Sequence, residues 1–191
     1  MNVRRAGDRA WLIELDDNAE ARSLARQLQG RGFEDVVPGH RTVLVVGDLD
    51  PADLPDPGHA PDEPEGALHE IPVAYDGPDV EEVAALAGID ADDVVARHCA
   101  PIYTVAFLGF VPGFPYLVGG DPTLEVPRRS DPRVRVPAGS VAIAGPYSGI
   151  YPRESPGGWR LVGHTEVEPF DAERTPAALL APGDRVCFVA L

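Results

Sequence analysis

With 191 residues and a hydrophobic content of 44%, the chain has material for one ordinary domain or two small ones with a real core. The net charge is −15, with 22 of the 31 acidic residues in positions 1–100, a field that repels nucleic-acid phosphates and anionic membranes. All 16 basic residues are arginine, which excludes a Schiff-base lysine and a phosphate loop that depends on lysine.

The opening "MNVRRAGDRAWLIEL" has basic residues with no apolar run behind them, so no secretory leader is expected. Ala10 to Leu15 reads as a strand. Asp17 or Asn18 caps a helix to about Gln29 with Ala21, Leu24, Ala25 and Leu28 on one face; Gly30 and Gly32 end it. Thr42 to Leu49 is apolar throughout and reads as a central strand. Pro51 to Gly66, rich in proline and acid, reads as a surface linker. The predicted domains are therefore 1–66 and 67–191.

Ile71 to Tyr75 is the next predicted strand. Asp79 is placed as the cap of one short helix and Asp90 of a second running to about Cys99, stopped by Pro101. His98 and Cys99 are adjacent there and point about 100° apart, so they form no dyad with each other. Cys99 and Cys187 have no metal-ligand spacing and read as buried free thiols; no metal site is expected. A strand from Tyr103 follows, and then the texture changes. From Gly109 to Gly183, short apolar runs alternate with glycine and proline, the pattern of a β-barrel or sandwich. The most apolar window, Ile102 to Val118, contains Pro112 and Pro115 and falls short of the ~20 residues a spanning helix needs. A cytoplasmic protein is the expectation.

Special residues gather in this second half. "PRRSDPRVR" sets Arg128, Arg129, Arg133 and Arg135 close together, with Arg135 alternating against Val134 and Val136; guanidinium forks bind carboxylate or phosphate, or else serve as strand-edge charge. "AGPYSGIYPRESPGGW" interleaves glycine and proline with Tyr151, Ser155 and Trp159. Gly157 and Gly158 permit positive φ, close backbone approach and an anion nest, or else make tight barrel turns. Ser148 and Ser140 are candidate nucleophiles without a G-x-S-x-G elbow, and His164 is the candidate acid or base. The uncharged stretch "FLGFVPGFPYL" offers Phe114 and Tyr116 to a cleft or partner surface, or to the barrel core. The residues alone lead to an anion-friendly, aromatic-lined cleft on a β domain.

The blocks "FLGFVPGFPYL", "PRRSDPRVRVPAGSVAIAG", "SGIYPRESPGGWRLVGHT" and "LLAPGDRVCF", in order, resemble the PxpB/KipI family, also described as the first subunit of allophanate hydrolase. The resemblance implies an α+β chain: a small α/β N-terminal domain followed by a cyclophilin-like β-barrel. It implies a non-autonomous subunit of an ATP-dependent 5-oxoprolinase with PxpC-type and PxpA-type partners, ATP being held mainly by a partner. A carboxyltransferase-type component acting on urea- or allophanate-like amides and an inhibitor of a sensor histidine kinase are the alternatives it carries. Two departures stand out: Tyr147-Ser148 in place of the usual Gln-Thr, and His164 in place of the usual arginine. The site residues expected on this reading are Ser148 and His164 as catalytic, Arg135, Tyr151, Ser155, Gly157 and Gly158 as substrate-binding, and Phe114 and Tyr116 as cleft or interface.

Overall fold

The computed structural model describes residues 1–58 and 66–191. The chain divides into two compact units, Met1–Glu65 and Gly66–Leu191.

The first unit is a four-stranded antiparallel sheet under one helix. Its strands β1 (Asn2–Arg5), β2 (Ala10–Glu14), β3 (Asp35–Pro38) and β4 (Thr42–Val46) lie in the order β1-β2-β4-β3. Helix α1 (Asn18–Leu28) starts as its sequence dictates: Asp17 accepts the Glu20 amide at 2.9 Å, and Glu20 reaches back to the Asp16 amide at 3.0 Å. Its stripe Ala21, Leu24, Ala25 and Leu28 is buried against Ile13, Val43 and Val45 of the sheet. Strands β1 and β3 are additions to the predicted elements; both are short sheet edges and mostly polar or half-exposed, so they lack the apolar run that marks a strand. Of the expected linker, Pro51–Asp53 forms a 3₁₀ turn capped by Asp50, and 59–65 lies outside the described residues.

The second unit is a seven-stranded, nearly closed sheet with two helices. Its elements are β5 (Leu68–Val73), α2 (Val80–Ala87), α3 (Ala91–Cys99), β6 (Tyr103–Leu108), β7 (Pro115–Val118), β8 (Arg133–Val136), β9 (Ser140–Ala144), β10 (Tyr147–Ile150), β11 (Ser155–Gly157), β12 (Arg160–His164) and β13 (Arg185–Ala190). The order is β12-β9-β10-β7-β6-β13-β5, antiparallel except for the parallel β13–β5 pair. Strands β8 and β11 form a separate two-stranded arm. The seam between the two edges is bridged: Ala74 and His164 exchange both backbone hydrogen bonds at 2.9 Å. Gly77 and Gly163 make that approach possible, because a Cβ on either would fall 2.3–2.4 Å from backbone oxygen across the seam. The interior is filled by Ile71, Val73, Val105, Leu117, Val141, Ile150, Val162 and Phe188, with Val83, Ala84 and Val94 of the helices packed on it. The α+β expectation, with a cyclophilin-like barrel in the second half, holds.

Three local expectations are corrected. Neither Asp79 nor Asp90 caps its helix through its side chain; Asp79 turns inward to an arginine pair instead. Cys99 and Cys187 are free but only half-buried.

Candidate functional site

The residues singled out by the sequence do not share one cleft. The barrel domain distributes all but Ser155 over three places.

The first is an aromatic pocket. The turn from Gly109 to Phe114 is closed by the Gly109 amide donating to Phe114 oxygen at 3.1 Å and the Phe114 amide to Val111 oxygen at 3.1 Å. It delivers Phe114 into the barrel wall, where the ring meets Tyr151 edge-on at 5.1 Å and Trp159 at 5.2 Å. Tyr116 stacks on Phe107 at 4.2 Å and turns its edge to Trp159 at 5.5 Å. The ring packing is the edge-to-face kind that aromatic quadrupoles favour. Gly149 of β10 forms part of the base of this cluster; a Cβ there would sit 3.0 Å from both Phe114 and Trp159. Phe110, Phe114, Tyr116, Arg128, Tyr151, Gly157, Gly158 and Trp159 enclose a cavity of about 80 Å³. Burial pushes the Tyr151 and Tyr116 hydroxyls up, so both are phenols, not phenolates, at neutral pH.

Here the nest expectation is corrected. Neither Gly157 nor Gly158 has positive φ. Gly157 is glycine for a different reason: a Cβ would lie 2.2 Å from the Tyr151 hydroxyl. Gly158 has ordinary room, 3.6 Å to Pro132. Ser155, also expected on the ligand, pairs with Val136 in the two-stranded arm and lines none of this pocket; its hydroxyl donates to Arg153 oxygen at 3.4 Å.

The second place is a groove of about 460 Å³ along the barrel seam, floored by Pro78, Pro137, Ala138 and Leu161, with Arg133, Arg135 and His164 around it. Arg135 is 78% exposed and pairs with Glu154, at 3.4 Å. His164 Nδ1 lies 2.8 Å from Asp76 Oδ1. That hydrogen bond, and then the charge of Asp76, raise the His164 pKa above its ordinary value. Beneath the groove Asp79 is buried and takes Arg133 in a two-pronged pair at 2.7 and 2.8 Å, Arg129 at 3.2 Å and the Leu161 amide at 2.7 Å. Burial alone would raise its pKa; the Arg133 and Leu161 hydrogen bonds and the charges of Arg133 and Arg129 outweigh that, and the net shift is downward. Arg160, buried, pairs with Glu82. These arginines hold the α2 start to the barrel.

The third place is inside the barrel. Ser148 is buried, its Oγ 2.8 Å from His98 Nε2, and His98 Nδ1 is 2.7 Å from the Tyr75 hydroxyl. Cys99 Sγ donates to that hydroxyl at 3.2 Å. The adjacent cavity is about 20 Å³, room for one water. Of the expected catalytic residues, Ser148 lines this small internal cavity and His164 lines the seam groove.

Sequence reasoning missed Phe110, Arg128, Asp79, Tyr75 and His98 as members of these sites. Arg128 and Phe110 stand in segments it did single out, but nothing local marks which of four clustered arginines stays free.

A family model described as "Carboxyltransferase domain, subdomain C and D" matches residues 1–180. The chain is 52% identical over 130 residues to the B-type subunit of 5-oxoprolinase from Escherichia coli O157:H7, covering 66% of this chain and 60% of that protein. With the corresponding 5-oxoprolinase subunit of Bacillus subtilis (strain 168) it shares 46% identity over 123 residues, 63% of this chain and 51% of that one. The match therefore spans about half to three-fifths of the length of these relatives. Among solved structures, TTHA0988 superposes with a TM-score of 0.83 at 38% identity over 96% of this chain and 40% of its own. PH0987 from Pyrococcus horikoshii does so at 0.64 and 38%, over 100% and 97%. The Kluyveromyces lactis urea carboxylase gives 0.79 at 25% over 99% of this chain and 21% of its own. With its fold, its ordered motifs and these matches in agreement, the chain belongs to the carboxyltransferase domain family, subdomains C and D, and within it to the PxpB/KipI family.

Proposed function

We propose that this chain is a non-autonomous subunit of a cytoplasmic, ATP-dependent 5-oxoprolinase that hydrolyses 5-oxo-L-proline to L-glutamate, working with PxpC-type and PxpA-type subunits. The observation that carries this is the 52% identity over 130 residues to a B-type subunit of 5-oxoprolinase. In the reaction one water is added across the lactam C–N bond, releasing a carboxylate and an amine, and ATP hydrolysis drives it. Phosphoryl chemistry is carried by metal and cationic groups that position the phosphates. A lysine-free chain of net charge −15 supports placing most of the nucleotide on a partner. What this chain offers instead is a preformed aromatic pocket and a seam groove with arginine and histidine on its wall.

The test is to co-express the chain with both partner types and measure glutamate released from 5-oxo-L-proline with ATP. Release that needs all subunits is the expected result; no release while every subunit is folded and assembled overturns the reading. A second reading, a carboxyltransferase component acting on a urea-like amide, is favoured by the family description and the fold of the urea carboxylase. It requires carboxylation of a urea-like amide that depends on bicarbonate and a biotin-bearing partner, which incorporation of labelled bicarbonate into the amide by the assembled complex detects.

A further inference from the structure

The turn that carries Phe110 is strained. The Val111 amide donates to Gly109 oxygen at 2.7 Å, a three-residue turn with Phe110 at its centre and φ of 63°. Positive φ at the centre of such a turn is the rare, unfavourable form, and for a bulky residue it is an outlier. Phe110 is the only non-glycine residue with positive φ among the described residues. The strain sets a ring that is 57% exposed at the mouth of the aromatic pocket, edge-on to Phe114 at 5.6 Å and Tyr151 at 6.4 Å. Strain of this kind persists where surrounding structure enforces it and clusters at ligand clamps.

Arg128 is the second observation. Its guanidinium lies over the Trp159 indole, 5.9 Å from the ring centroid. Arg129, Arg133 and Arg135 each pair with a carboxylate; Arg128 has none among the described residues. In a chain with nearly twice as many acids as bases, an arginine kept free of them at an aromatic mouth has its donors open to an incoming anion.

We propose that this pocket binds a small ring bearing a carboxylate, with Arg128 clamping the carboxylate and Phe110 covering the ring against Tyr151 and Trp159. The cavity is walled by aromatic rings with the Arg128 guanidinium at its edge, a lining that suits the faces of a small ring and an anionic group beside it. The class of ligand follows from the pocket; only its identification with 5-oxo-L-proline rests on the 5-oxoprolinase reading.

Trp159 reports directly, because the chain has two tryptophans and Trp11 lies in the other unit. In a Trp11→Phe background, the full chain is titrated with 5-oxo-L-proline, cyclopentanecarboxylate and 2-pyrrolidinone while indole emission is followed. Saturable change with both carboxylates, and binding of 2-pyrrolidinone weaker by about tenfold or more, is expected from loss of a charge-assisted pair. Arg128→Ala brings the carboxylates down to the level of 2-pyrrolidinone, with unchanged melting since the side chain is exposed; Phe110→Ala weakens all three. Equal binding of 2-pyrrolidinone, wild-type affinity in Arg128→Ala, or no response to any carboxylate overturns the proposal. In the assembled complex, Arg128→Ala with an unchanged KM removes the pocket and leaves the 5-oxoprolinase reading standing. Carboxylate binding by the free chain beside an inactive complex does the reverse.

Discussion

Ser148 meets the imidazole of His98, not that of His164: His98 Nε2 and Ser148 Oγ are 2.8 Å apart across 50 residues of sequence. The direction of this contact follows from its neighbours. Cys99 donates to the Tyr75 hydroxyl, so that hydroxyl spends its own proton on His98 Nδ1, and the proton on the neutral ring sits on Nε2, facing Ser148. Ser148 in turn donates to Ala142 oxygen at 3.4 Å. In this arrangement the imidazole gives a hydrogen bond to the serine and takes no proton from it. The ring is further fixed by stacking on Phe188 at 4.5 Å.

Ser148→Ala tests that polarity. It leaves a buried N–H without a partner and costs about 1–3 kcal/mol of stability, while turnover of the assembled complex stays within a few-fold of wild type. Thermal melting and kcat read the two effects separately. A variant that melts like wild type and has lost turnover would return Ser148 to the chemistry.

His98 makes acid stability steep. Burial pushes its pKa down to about 3, against an ordinary 6.5. Between those values the unfolded chain binds a proton that the folded chain refuses, so stability rises with pH there and falls on acidification. Each pH unit below about 6.5 removes up to about 1.4 kcal/mol. Denaturant melts from pH 7 to 4 measure it; His98→Gln should flatten this slope, and an unchanged slope places the proton uptake elsewhere.

His164 moves the other way. Its hydrogen bond to Asp76 raises its pKa above 6.5 and lowers that of Asp76 below 3.8. The histidine's contribution is complete below about 6.5 and is lost as pH climbs through the raised value; that of Asp76 is present above about 3.8 and is lost in acid. Proton NMR of the imidazole should show the raised midpoint, and Asp76→Asn should return it toward 6.5.

Gly157 and Gly158 should behave as opposites although they are neighbours. Gly157→Ala drives a methyl against the Tyr151 hydroxyl at 2.2 Å and costs about 1–3 kcal/mol. Gly158→Ala meets nothing nearer than 3.6 Å and should melt close to wild type. Equal effects from the two would reassign the constraint to the backbone.

Asp79→Ala leaves Arg133 and Arg129 without their shared buried carboxylate and frees the Leu161 amide, a loss of about 3–5 kcal/mol. Asp79→Asn, which keeps the shape, should recover only part of it. Urea unfolding compares the two.

Local periodicity determined a good deal of this protein. The Ala21–Leu28 stripe, the Asp17 cap and the glycine stops of α1 follow from residues within a few turns of one another, and the apolar runs of the second half mark its strands before any pairing is known. The stretch Phe107–Leu117 likewise declares a rigid aromatic turn. The tertiary structure decided what periodicity cannot carry: that His98 rather than His164 faces Ser148, that Asp79 leaves its helix end for Arg133, that Arg128 alone among four arginines has no carboxylate among the described residues, and that Gly157 is bare because Tyr151 lies against it. Each of these is a contact between residues distant in sequence or set by strands that cross over in the sheet. The order β12-β9-β10-β7-β6-β13-β5 brings them together, and that order is a property of how the sheet closes.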